Sequence, residues 1–184
     1  MRRLIFLLIL TALVVLPAVR TAAQEAAAPP GPSQELLATW NREAKKLIDM
    51  AEDFPEDKYD YRPTPEVRTF AEHLLHIAGS NQAMLAAARG EKPGEEEISR
   101  EKYKTKAEVA AVVKKSFEDC AAFIQQLGDA GMAKPVTHPF AHRTMSQHAF
   151  WVGATVNAAE HYGNLVVYYR LNALVPPVSR RRAP

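Results

Sequence analysis

Histidine is the residue type in this sequence best suited to chemistry, because a neutral imidazole binds divalent metals and exchanges protons near neutral pH. The chain has six histidines among 184 residues. His73 and His76 stand three positions apart, and His161 follows Asn157 by four. Positions three or four apart share one face of an α-helix. If both segments are helical, each one therefore presents its polar side chains from a single face.

Other polar residues have ordinary structural interpretations. His138 and His142 are also four apart, but Pro139 lies between them, so we interpret both as solvated loop residues. The single cysteine, Cys120, falls on an apolar helical stripe and is interpreted as a small core residue. For each candidate histidine, the structural alternative is a buried side chain that is hydrogen-bonded to a neighbour.

Four amphipathic segments position these residues. Apolar residues recur at helical spacing over about residues 33–53, 64–89, 105–128 and 144–173. Thr64 and Pro65 have the residue types that favour the start of the second helix. The connections contain proline and glycine, and no stretch predicts a convincing strand. Four helices of this length predict an all-α fold, namely an up-down antiparallel four-helix bundle.

The helical wheels indicate which side chains face inward. On the fourth helix, Asn157 and His161 lie on a largely apolar face, while Val156 and other apolar residues cover the opposite face. This pattern predicts that the fourth helix is the most buried. On the second helix, His73 lies near the edge of the apolar stripe and His76 lies farther from it. Periodicity alone therefore favours His73 as the inward-facing histidine.

The amino-terminal residues have the layout of a secretory signal peptide. Arg2 and Arg3 precede the apolar run Leu4–Val19, and small residues follow. This run is shorter than the roughly 20 residues that a membrane span needs. We therefore expect an exported protein, periplasmic or secreted, with no stable membrane span; an uncleaved, membrane-attached first segment is the alternative. The predicted organisation is a signal peptide at 1–23, a flexible linker at 24–33, a bundle at 34–179 and a basic tail at 180–184.

Composition and charge exclude some classes of protein. Apolar residues make up 47% of the chain and charged residues 24%, which is typical of a folded protein rather than a disordered one. Without residues 1–23, the formal net charge falls from +2 to −1, because three arginines and no acidic residue lie there. The remaining dense basic cluster is Arg180–Arg182. We therefore expect no nucleic-acid partner.

Two stretches of the sequence resemble the DinB-like family, in its exported branch. They are PTPEVRTFAEHLLHIAGSN (Pro63–Asn81) and EHYGNLVVYYRLNALVPPVS (Glu160–Ser179), and the likeness extends from about Trp40 to Ser179. The resemblance implies an up-down four-helix bundle, often a homodimer, with a divalent metal such as zinc or nickel. Three histidines hold the metal in the family, one on the second helix and two, four apart, on the last. Some relatives are thiol-dependent transferases or isomerases.

Carried over position by position, the family pattern assigns His76 and His161 to the metal and places Asn157 where the third histidine stands. An amide oxygen is a poor replacement for imidazole at a zinc-like site. The resemblance therefore implies a metal, zinc or nickel, that is weakly bound or absent. It also selects His76 as the ligand on the second helix, whereas the helical wheel favours His73.

Three functions follow from these observations. The first is a metal-assisted transferase or hydrolase that acts on an unidentified small molecule at His76, Asn157 and His161. The second is a non-catalytic bundle that binds a small ligand or a partner, with a metal site that has lapsed at Asn157. The third is a membrane-attached structural protein that an uncleaved first segment holds. No sequence pattern identifies a substrate or a catalytic residue, and a homodimer is implied by the resemblance alone.

Overall fold

Four α-helices make up most of the structure, a computed structural model that describes residues 29–92, 94 and 98–180. The helices are α1 (Pro32–Asp53), α2 (Phe70–Arg89), α3 (Lys106–Met132) and α4 (Gln147–Leu171). Short 3-10 turns follow α1 and α4, at Glu56–Lys58 and Pro177–Ser179. The all-α class predicted from the sequence is confirmed. The predicted signal peptide, residues 24–28 of the predicted linker and residues 181–184 lie outside the described residues.

The helices α2 and α3 run in the same direction. The backbone N–H of Lys106, at the start of α3, donates to a carboxylate oxygen of Glu56 just beyond α1 (3.1 Å). The ring of Phe70, at the start of α2, stacks on Phe54 with centroids 3.9 Å apart. Both helices therefore begin beside the end of α1. The predicted up-down order reverses direction at every connection, and the connection from α2 to α3 differs from it. Residues 90–105 are numerous enough to return along α2, since extended chain spans about 3.3 Å per residue.

The helix α4 runs antiparallel to α2. Near the start of α4, the Gln147 amide donates to the carbonyl of Ala88 near the end of α2 (3.0 Å). Near the end of α4, the Tyr168 hydroxyl donates to the carbonyl of Arg68 just before α2 (2.6 Å). The first turns of α2 consequently face the second half of α4.

Thr69, and not Thr64, caps α2. The Thr69 hydroxyl accepts from the backbone N–H of Glu72 (3.1 Å), and the Glu72 carboxylate accepts from the backbone N–H of Thr69 (2.7 Å). This reciprocal pair satisfies two amides of the first turn. The backbone N–H of Phe70 also donates to the carbonyl of Tyr61 (2.9 Å), which fixes the extended segment that enters the helix. The predicted start at Thr64 is therefore wrong by about six residues.

A short hairpin precedes α4 where the sequence predicted no strand. The strands β1 (Pro135–Thr137) and β2 (Thr144–Ser146) pair antiparallel, with Val136 opposite Met145. Val136 is buried, and β-branched residues favour extended backbone. Each strand has three residues, which is too short to produce a recognisable alternation in the sequence.

One face of α4 is exposed, although the sequence predicted that this helix would be the most buried. Val156 is 53% exposed and Leu171 is 57% exposed. Periodicity cannot distinguish an apolar face that is buried within the chain from one that the described residues leave uncovered. Within the part of the chain that the structure describes, no helix is both long and apolar enough to span a membrane.

The ends of the bundle extend slightly beyond their predicted limits. The helix α1 begins at Pro32, inside the predicted linker, and the backbone N–H of Ser33 donates to Asp129 on α3 (2.8 Å). Arg180, predicted as the first residue of the basic tail, pairs through Nη1 with Asp53 (2.8 Å). Among the described residues, the folded unit therefore begins by residue 32 and extends to residue 180.

Trp40 connects three helices at the centre of the core. Its indole Nε1 donates to the carbonyl of Phe117 on α3 (3.1 Å), and its ring contacts the edge of Trp151 on α4 with centroids 5.7 Å apart. The residue is fully buried. Cys120 is also fully buried, as predicted, and burial raises the pKa of its thiol to about 12, so the thiol is unreactive at neutral pH.

We predict that Trp40→Phe destabilises the protein by about 2–4 kcal/mol, because it removes one buried hydrogen bond and leaves a cavity between three helices. Urea unfolding followed by circular dichroism measures this change. Asn41→Ala, at the exposed neighbouring position, should change the free energy of unfolding by less than about 0.5 kcal/mol. Equal stabilities of the two variants would refute the central role of Trp40.

Candidate functional site

Three histidine rings meet where α2 and α4 face each other. Nε2 of His73 lies 2.8 Å from Nδ1 of His161, and the two ring centroids are 4.9 Å apart. The ring centroid of His76 lies 5.4 Å from that of His161. His73 and His76 are in the first two turns of α2, and the antiparallel α4 brings His161 opposite them. The convergence therefore depends on the relative direction of these two helices.

The hydrogen bond between His73 and His161 constrains the protonation of both rings. One of the two facing nitrogens must carry the proton, and the other must accept it. If the proton lies on Nδ1 of His161, then Nε2 of that ring keeps its lone pair. A metal-binding histidine is held in this way when its other nitrogen donates to a neighbour. His73 thus has the position of a residue that orients His161.

All three imidazoles favour the neutral form. Burial, followed by the charges of His161 and Arg68, lowers the pKa of His73 to about 4. Burial, followed by the charges of His76 and Arg68, lowers the pKa of His161 to about 4 as well. Burial and the charge of Arg68 also lower the pKa of His76. Neutral imidazole is the form that binds a metal, so no proton has to be displaced from these rings at pH 7.

The separation of His76 and His161 is compatible with a shared ion. Two imidazoles bound at about 2.1 Å to one tetrahedral ion have ring centroids roughly 5 Å apart, and these two are separated by 5.4 Å. The facing nitrogens of His73 and His161, at 2.8 Å, are at hydrogen-bonding distance instead. In the described part of the chain, no three His, Cys, Asp or Glu side chains form a group arranged to hold an ion. Among the described residues, a third ligand would therefore be of another residue type.

Asn157 is such a residue, and it lies beside a cavity of about 250 Å³. It stands one helical turn before His161 on α4, and its side chain is exposed. His76 lines the same cavity from α2. The side chains of His76 and Asn157 make no hydrogen bond with any residue that the structure describes. Both are therefore available to an ion or a small molecule.

The structure brings together the residues proposed from the sequence and adds two more. His76 and His161 are neighbours, and Asn157 lies on the wall of the cavity that His76 also lines. His73, which the family pattern passed over, is buried and bonded to His161, as its place at the edge of the apolar stripe indicated. His138 also lines the cavity and was missed, because its loop position gave no periodic signal. The metal-ligand set itself stays a prediction.

Comparison with known proteins identifies the family. The family model described as the DinB superfamily matches residues 39–163, about two thirds of the chain. No curated protein matches the chain. The match covers α2 entirely and most of α4, including every residue of the candidate site. The chain therefore belongs to the DinB superfamily.

Solved structures agree on the fold. A DinB-like protein from Bacillus cereus superimposes with a TM-score of 0.66 at 18% identity, covering 78% of this chain and 95% of its own. A DinB-like protein from Bacillus subtilis gives a TM-score of 0.62 at 19% identity, covering 81% of this chain and 99% of its own. At these identities the similarity establishes a common fold, and function has to be argued from the site.

We predict that the metal-free protein loses stability as the pH falls from 7 to 5. His73 and His161 have folded-state pKa values near 4, below the roughly 6.5 of an unfolded histidine. The unfolded chain therefore binds more protons in this window, and protonation favours unfolding. In His161→Gln this loss should be smaller by on the order of 1–2 kcal/mol. Urea unfolding at both pH values, with a chelator present, measures it.

The matched control is His148→Gln, which changes an exposed histidine on the same helix. It should lose as much stability between pH 7 and pH 5 as the unaltered protein. If His161→Gln has the same pH dependence as His148→Gln, the two imidazoles are not buried as neutral groups, and the electrostatic account of the site is wrong.

Proposed function

We propose that this DinB superfamily protein binds one divalent metal ion through His76 and His161, with the Asn157 amide oxygen as a weaker third ligand. The observation that carries the proposal is the 5.4 Å separation of the two ring centroids, from helices that are far apart in sequence. The lowered pKa values of both rings support it, because the ligands are already deprotonated at neutral pH.

The donor set fits a weakly held ion. Two imidazoles suit zinc or nickel, whereas a neutral amide oxygen is a hard and weaker ligand for such metals. His73 supports the site by fixing the orientation of His161 through their 2.8 Å hydrogen bond. Residues that hold a metal ligand in place typically contribute about 10–100-fold to metal affinity.

The neighbouring cavity suits a small-molecule substrate. It lies against His76 and Asn157 and has a volume of about 250 Å³. A divalent ion at this place would act as a Lewis acid and lower the pKa of a bound water toward about 7. Such chemistry belongs to a metal-assisted transferase or hydrolase. In this proposal the His76 and His161 side chains bind and orient, and Nε2 of His73 accepts the proton that Nδ1 of His161 donates. The signal-like residues 1–23 favour export to the periplasm or the medium.

Asn157 favours a second candidate function. Because an amide replaces the imidazole that completes the family pattern, the bundle can serve as a binding protein for a small ligand without a metal. The exposed side chain of Asn157 and the cavity beside it are compatible with this role. The two candidates differ in one property, which is the metal affinity of the unaltered protein.

We predict that the metal-free protein binds one zinc ion per chain, and that His161→Gln weakens zinc binding roughly tenfold or more. Isothermal titration calorimetry at pH 7 measures both affinities. Asn157→His should tighten zinc binding roughly tenfold or more, because an imidazole replaces an amide. Circular dichroism of each variant establishes that the fold is intact.

His148→Gln is again the matched control, since it removes an imidazole from the same helix outside the site, and its zinc affinity should equal that of the unaltered protein. Equal affinities of His161→Gln and His148→Gln would refute the metal site. If the unaltered protein binds no zinc and Asn157→His gains binding, the metal proposal is wrong and the second candidate function is favoured.

A further inference from the structure

The turn between β1 and β2 holds a histidine in a fixed orientation beside the cavity. Nδ1 of His138 accepts from the backbone N–H groups of Phe140 (3.2 Å) and Ala141 (3.1 Å). The His138 ring also contacts the edge of Phe150, with centroids 5.6 Å apart. Two hydrogen bonds and an aromatic contact thus hold this side chain, although the sequence placed it in a solvated loop.

These hydrogen bonds determine the tautomer of His138. Because Nδ1 accepts two N–H groups, it carries no proton, so the neutral ring is protonated at Nε2 and donates from that atom. Ser80 and Asn157 line the same cavity with a hydroxyl and an amide, and neither side chain is hydrogen-bonded to a described residue. The wall of the cavity therefore carries three hydrogen-bond donors, from His138, Ser80 and Asn157, that have no acceptor among the described residues.

The rest of the cavity favours a neutral molecule. Met84, Phe140 and Ala154 form apolar parts of its wall, and none of the described residues that line it is a lysine or an arginine. The His138 ring is neutral, because Nδ1 accepts two backbone N–H groups and therefore carries no proton. A carboxylate in this cavity would find no lysine or arginine among the described lining residues to pair with, and it would lose hydration. A carbonyl accepts the same hydrogen bonds at a smaller desolvation cost.

We infer that this cavity binds a small neutral molecule whose carbonyl oxygen accepts a hydrogen bond from Nε2 of His138 and whose apolar part contacts Met84 and Phe140. At about 30 Å³ for each water-sized group, the volume accommodates roughly eight such groups. The inference rests on the proposed function, which places a small molecule in this cavity. It adds the chemical class of that molecule. His138 is then a specificity-determining residue, and it needs no metal to act.

The test is an NMR titration of the chelator-treated protein with three probes of similar size: acetophenone, ethylbenzene and benzoate. Acetophenone should shift the resonances of His138, Ser80 and Met84. It should bind roughly tenfold more tightly than ethylbenzene, which lacks the carbonyl, since one hydrogen bond contributes about that factor. Benzoate should bind more weakly than acetophenone. Equal binding of acetophenone and ethylbenzene, or tighter binding of benzoate, would overturn the inference.

Two variants test the role of His138. In His138→Asn, the side-chain oxygen can still accept from the backbone of the turn, but the Nε2 donor is lost. This variant should bind acetophenone roughly tenfold more weakly and ethylbenzene unchanged. His142→Asn is the control in the same turn, at a position with φ of 50° that asparagine adopts readily. It should bind both probes as the unaltered protein does.

Equal acetophenone affinities of His138→Asn and His142→Asn would overturn the assignment of His138. Because zinc is absent from these titrations, the outcomes are separable from those of the metal proposal. Zinc binding without selective acetophenone binding would contradict only this inference. Selective acetophenone binding without zinc binding would contradict only the metal site.

Discussion

The hydrogen bond between His73 and His161 joins α2 to α4, and the candidate site depends on it. At 2.8 Å, it requires one donor and one acceptor among two rings that burial keeps neutral. A charged ring at either position would place an uncompensated cation in a partly buried environment. The bond therefore fixes the orientation of His161, on which the use of its other nitrogen as a ligand depends. His76 adds a second imidazole from the next turn of α2.

The directions of the helices bring His73 and His76 close to His161. The aromatic rings of Phe54, Phe70 and Tyr169 cluster where α1 ends, α2 begins and α4 ends, with Phe54 at 4.9 Å from Tyr169 by ring centroids. The cluster anchors the first turn of α2 against the last turns of α4. Because α3 begins at the same end as α2, α3 packs beside α2 in the same direction, while α4 runs antiparallel to α2. The histidines occupy the turns next to this anchored end.

The sequence predicted the helices well because apolar periodicity is a local signal, although the start of α2 was placed too early, at Thr64. The family pattern predicted the pair His76 and His161, and periodicity indicated His73. Neither signal alone could show that both histidines of α2 contact His161. The direction of α3 could not be predicted, because a long charged connection is compatible with either direction. His138 was missed since its orientation comes from backbone N–H groups that only a turn brings together.

The most direct test of the account is the protonation of His73 and His161 in the metal-free protein at pH 7, measured by long-range ¹H–¹⁵N NMR of the imidazole nitrogens. The account predicts two neutral rings, with Nδ1 of His161 protonated and Nε2 of His73 unprotonated, so that Nε2 of His161 keeps its lone pair. A cationic ring at either residue, or a proton on Nε2 of His73 in place of Nδ1 of His161, would contradict it.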